Sequence, residues 1–145
     1  REVDQKEKIQ SKLKQEMMLL KKALATDVSS IDELRRIVLE YSERRRQRMK
    51  GMQKSAREAE IRCELTEGTA YYVEAFVYRM ESGEQAYEER YLDSLGTYEG
   101  GRGKYYRTGL AKCLLLDVLC PDWKEHFDFS KGLDELLEEY LEVKI

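Results

Sequence analysis

One histidine, one proline, one tryptophan and three cysteines are all that this 145-residue chain holds of four informative residue types. Each scarcity excludes something. His126 has no second histidine to pair with, so no metal site needing two histidines on one helix face can be completed within the chain. Cys63, Cys113 and Cys120 are odd in number and form no CxxC, which argues against a disulfide framework or a cysteine-rich zinc site. They read as reduced thiols of a cytoplasmic protein. No apolar run approaches the roughly 18 residues of a membrane span, and no signal-peptide pattern is present. Neither charge sign dominates: 26 basic and 29 acidic side chains leave a net charge of −3, which favours neither nucleic acid nor a membrane surface as partner.

What is abundant is helix-forming. Leu, Glu, Lys and Arg are plentiful and 38% of the chain is charged, so the expectation is one all-α domain of five to six helices in an irregular bundle. Ile9, Leu13, Met17, Leu20 and Leu24 recur at helical spacing over residues 3–25. Ser30 with Glu33 is a capping-box pattern and opens a second helix carrying Ile31, Leu34, Val38 and Tyr41. Together residues 1–50 form an amphipathic hairpin, and 55–145 the core. The hairpin ends in "ERRRQRMKGMQK", which reads as a solvated face or as positive charge turned toward a substrate; no aromatics interleave as a nucleic-acid surface would require.

A third helix is predicted over about 55–80. A glycine-rich loop with Gly96, Gly100, Gly101 and Gly103 then leads into a central apolar helix over about 105–119. The GGRGK in that loop lacks P-loop spacing and the following Ser or Thr. Pro121 begins a short turn through "DWKEHF". A last helix turns Leu133, Leu136, Leu137 and Leu141 inward.

The third helix carries an unusual pattern. Glu60, Glu64, Glu67, Tyr71, Glu74 and Tyr78 fall within an arc of about 80° at 100° per residue. From Leu65 to Val77 the rest of the circumference is uncharged. A helix apolar on most sides is expected to be buried, so this stripe should face inward or into a cleft, where carboxylates need cations or a metal. The plainer reading is a carboxylate stripe that faces solvent or pairs with arginines of the stretch Arg44–Arg48. Gly68 costs about 1 kcal/mol within a helix, which implies that something approaches its backbone closely.

The segment Glu67–Glu74, EGTAYYVE, resembles the EGxAxYxE helix of the gluzincin metallopeptidases of aminopeptidase type. Tyr106–Gly109, YRTG, 39 residues further on and opening an apolar helix, resembles their YxxG segment. The later PDWKE, Pro121–Glu125, is similar to the end of that helix pair in bacterial members, and the resemblance covers about residues 57–127. It implies zinc as cofactor, a peptide or protein as substrate, Glu67 as zinc ligand and Tyr106 as oxyanion donor, with Tyr105 as an alternative. It further implies Glu74 as the support of a ligand histidine, and Glu64 and Tyr71 in the cleft. The HExxH that should precede is missing. Because the chain starts at Arg1, a fragment is expected, with HExxH further upstream; a relative that lost its metal is the other possibility. The non-enzymatic alternative is a helical interaction domain whose charged hairpin docks a partner helix.

Overall fold

The amphipathic stripe of the first segment folds as α1, Glu2–Ala25, with Leu13, Met17, Leu20 and Ala23 buried along one side. The structure is a computed structural model that describes residues 2–144 apart from residue 28. The second helix, α2, runs Ile31–Lys50 and packs antiparallel on α1 through Leu34, Ile37, Val38 and Tyr41. Ser30 is its N-cap residue, as its sequence predicts, but its hydroxyl makes no capping bond; Leu34 N–H is instead held by the Ser30 carbonyl at 3.0 Å.

α3, Lys54–Ser82, and α5, Gly103–Leu119, make the most extensive helix pair of the molecule. α5 is the central element: Leu110, Ala111, Cys113, Leu115, Leu116 and Leu119 are all buried. α1 lies against it, and α6, Leu133–Lys144, closes the bundle with Leu133, Leu137 and Leu141. Among the described residues there is no strand, so the chain is an all-α bundle of six helices. A short 3₁₀ turn, Trp123–His126, follows Pro121. Trp123 Nε1 donates to Asp117 at 2.9 Å, and Tyr72 donates to the other oxygen of Asp117 at 2.7 Å, tying this turn to α3 and α5.

Two expectations are corrected. The stretch after Gly83 is not all loop. It contains a short helix, α4, Glu84–Tyr87, that widens into a π-turn over Glu88–Leu92, with Asp93 N–H bonded to the Glu88 carbonyl at 2.9 Å. Its buried side, Tyr87, Tyr91 and Leu95, packs on α3. Nor is α3 buried all round: Val73, Phe76, Val77 and Met80 are 45–72% exposed. Apolar residues occupy most of its circumference, yet α5 covers only the side of Gly68 and Ala75. Val73 borders the turn of Trp123, Phe127 and Phe129, and Phe76, Val77 and Met80 stand exposed beyond it.

The basic run of α2 also differs from a solvated face. Arg48 is buried and Arg45 nearly so, because both meet carboxylates inside the bundle.

Candidate functional site

Gly68 and Gly109 explain each other. A Cβ on Gly68 would stand 2.5 Å from the Cα of Gly109, and one on Gly109 would stand 2.4 Å from the Cα of Gly68. No real side chain tolerates such distances against backbone, so α3 and α5 touch backbone to backbone where both residues are glycine. The close approach implied by Gly68 is thus the approach of α5. It joins the two segments Glu67–Glu74 and Tyr106–Gly109, which lie far apart in sequence.

Around this crossing the stripe of α3 divides by depth. Glu67 is half-buried, and its carboxylate has only a loose ionic partner, Arg102, 3.9 Å away and itself 77% exposed. One turn further along the same face, the ring of Tyr71 lies 5.6 Å from that of Tyr106 and 5.1 Å from that of Tyr91. Partial burial raises the pKa of Tyr71, with Arg107 opposing. Glu74 is exposed and accepts a hydrogen bond from Tyr91 at 2.9 Å; burial and this carboxylate push the Tyr91 hydroxyl up to about 12. Glu67, Tyr71 and Tyr106 therefore share one side of the α3–α5 crossing, and Glu74 continues that side toward α4.

Glu60 and Glu64 turn the other way, into the bundle, and meet cations. Arg48 donates to Glu60 at 2.9 and 3.0 Å and to Glu16 at 2.5 and 3.0 Å. Tyr105 donates to Glu60 at 3.1 Å, and burial followed by the Glu60 charge raises its pKa strongly. Glu64 accepts from Thr108 at 2.6 Å and, through both oxygens, from Lys112 at 2.7 Å. Lys112 reaches Asp134 at 2.7 Å as well; Asp134 also meets Arg45 at 2.8 Å and the Tyr41 hydroxyl at 2.7 Å. The lysine is 2% exposed, with the Tyr41 ring 5.1 Å from its nitrogen. Its burial disfavours the charge, but Asp134 and Glu64 outweigh that and raise its pKa. Burial opposes ionisation of Asp134 too, yet Lys112 and Arg45 hold its pKa below the ordinary value; Glu64, with fewer cations, is pushed up by burial. The two clusters adjoin across an enclosed cavity of about 20 Å³, room for one water. A network so saturated orders the helices and leaves little capacity for chemistry.

Sequence reasoning expected the whole stripe inward or in a cleft; Glu60 and Glu64 are buried, but Glu74 is exposed because the bundle covers only the first part of that face, and the anticipated arginine partner from α2 is found for Glu60. The same reasoning missed Lys112, Glu16 and Asp134. A charged residue within "GLAKCLLLDVL" was the available signal for Lys112: a lone lysine in an apolar helix must find carboxylates.

For zinc the donors on this chain are incomplete. Glu67 offers one oxygen and belongs to no group of three close donors among the described residues. The one such group among them, Asp122, Glu125 and His126, is exposed at the 3₁₀ turn. The chain on its own does not fit the metal. Cys113 is buried and Cys63 and Cys120 are half-buried, and no described helix is long and apolar enough to cross a membrane.

Fold and site together define an all-α bundle built on a glycine-to-glycine helix crossing and a buried ionic network. No protein family, curated protein or solved structure matches this chain in comparisons.

Proposed function

We propose that this chain is the helical portion of a gluzincin-type zinc peptidase acting on peptides or proteins, with Glu67 as one metal ligand and Tyr106 as hydrogen-bond donor to the carbonyl oxygen under attack. The observation that carries the reading is the Gly68–Gly109 contact, which brings the two resembling segments together and sets Glu67 and Tyr106 on one side of it. Histidines from a segment outside this chain must complete the site. A zinc ion so held would activate a water and polarise the substrate carbonyl. Here α3 holds Glu67 rigidly at the edge of the core, where only Arg102 competes for it. The ring contact with Tyr71 fixes the direction of the Tyr106 side chain. The loop 96–102 runs directly into α5 and would border a substrate held near Tyr106.

The test is the protein from its complete coding sequence, purified with zinc. Wild type should hold one zinc per chain by atomic absorption, and Glu67→Gln should lose it together with peptide hydrolysis. Tyr106→Phe should keep the metal and lower kcat by about 10²- to 10³-fold with little change in KM. Full zinc content and activity in Glu67→Gln would remove Glu67 from the site. A wild type without zinc would overturn the reading.

One observation favours a second reading, a non-catalytic interaction domain. The open side of α3 exposes Val73, Phe76, Val77 and Met80 in a row, a surface suited to a partner helix. A metal-free wild type would leave this reading standing.

A further inference from the structure

We propose that the groove between α1 and the glycine loop binds an acidic polypeptide segment. The groove is open and about 790 Å³ in volume. Lys6, Lys8 and Lys12 line it from α1, and Lys104 lines it from the start of α5. The lining also contains Arg48 and one carboxylate, Glu60, which Arg48 and Tyr105 already occupy. A chain of net charge −3 thus gathers in one concave place four lysines without an ion-pair partner among the described residues, Lys104 also donating to the Gly101 carbonyl at 2.7 Å. Low-dielectric walls focus such a field onto an anionic ligand.

The arrangement selects among anions. Lys6 and Lys12 are separated by about 9 Å along α1 and by about 120° around it, so the charges are spread and do not converge on a point. Phosphate recognition favours a convergent set or an arginine fork, and the one arginine here is saturated by Glu16 and Glu60. Nucleobases need free aromatic faces. Tyr98 and Tyr105 line the groove, but the Lys104 nitrogen stands 4.7 Å from the Tyr105 ring centre and 5.9 Å from that of Tyr98, and Lys14 lies 5.8 Å from Tyr98. Between the lysines, Ile9 is 49% exposed into the solvent side of α1 and lines the same groove. Separated cations with an apolar contact between them match a chain of carboxylates interspersed with apolar side chains. The inference stands apart from the peptidase reading, since it involves neither Glu67 nor zinc.

Fluorescence anisotropy tests it, with the 145-residue chain titrated into a labelled octapeptide of alternating Glu and Leu at low salt. Saturable binding is expected. Lys8→Glu combined with Lys12→Glu should weaken it by about tenfold or more, and added salt should weaken it for wild type. Lys54→Glu, on exposed surface outside the groove, should leave it unchanged. Circular dichroism of the variants confirms folding, which substitution of exposed lysines should preserve. Absence of binding would overturn the proposal, as would equal loss in Lys54→Glu or tighter binding of a single-stranded oligonucleotide of equal charge. A chain that fails to hold zinc in any context should still bind the octapeptide, so the two readings fail separately.

Discussion

Replacing Lys112 with Met should destabilise the protein by about 3–5 kcal/mol, the cost of leaving buried carboxylates without their cation. At this chain length that is roughly a 10 °C fall in Tm. The reasoning rests on what stays behind. Arg45 still neutralises Asp134 at 2.8 Å, but Glu64 loses its one cation among the described residues and retains the Thr108 hydroxyl. Methionine fills most of the lysine's volume, so the loss measures charge and not a cavity. Two controls separate the causes. Adding Glu64→Gln to Lys112→Met should recover a large part of the loss, because a neutral amide costs less to bury than an orphaned carboxylate.

The pH dependence supplies the second control. The Glu64 pKa is already raised by burial and should rise further without Lys112. A carboxyl whose folded pKa is raised stabilises the fold in its protonated form, and that contribution is lost as pH rises through the folded value. The deficit of Lys112→Met should therefore shrink as pH falls through the raised folded value toward the ordinary carboxylate range. In wild type Asp134 works in the opposite sense. Its lowered folded pKa contributes stability that is present above the unfolded value of about 3.9 and lost as pH falls through the folded value. Chemical denaturation at several pH values checks both. A Lys112→Met variant within 1 kcal/mol of wild type, a threshold well below the expected roughly 3–5, would show that the ion cluster is not needed for stability.

Gly68→Ala should also destabilise, by about 2–4 kcal/mol, which reverses the usual sign for this exchange in a helix. Alanine would gain about 1 kcal/mol of helix propensity. Against this, its Cβ would meet the Gly109 Cα at 2.5 Å and the Gly109 carbonyl carbon at 3.2 Å. Those atoms are backbone and cannot rotate aside, so α3 and α5 must separate along their most extensive contact. Gly109→Ala should cost a similar amount, and the double variant less than the sum, because one separation relieves both clashes. Gly51→Ala is the internal standard: a Cβ there meets nothing closer than 3.7 Å, and the change should be near neutral. Thermal melts of the four proteins decide it. A stabilised Gly68→Ala would mean that the helices do not touch here. Under the peptidase proposal the same substitution should move Tyr106 relative to Glu67 and lower activity even where the fold survives.

Periodicity alone determined the all-α class, the positions of five of the helices, the shared face of Glu60, Glu64, Glu67 and Glu74 and a close backbone contact at Gly68. These are local or one-dimensional properties: a 3.6-residue repeat, a helix propensity, a lone glycine in a helix. The helix after Gly83 escaped because it is too short for periodicity to register; only the spacing of Tyr87, Tyr91 and Leu95 hinted at it. Tertiary structure decided the rest. That Gly109 is what meets Gly68, that Lys112 joins Glu64 to Asp134 across three helices, and that Arg48 leaves the solvent face of its run are pairings between distant residues. So is the exposure of Val73, Phe76 and Met80, which depends on which side of α3 the bundle covers. A helical repeat states which residues share a face. Which face is covered, and by what, follows from how the helices pack, because burial is a property of the neighbours that arrive and not of the stripe itself.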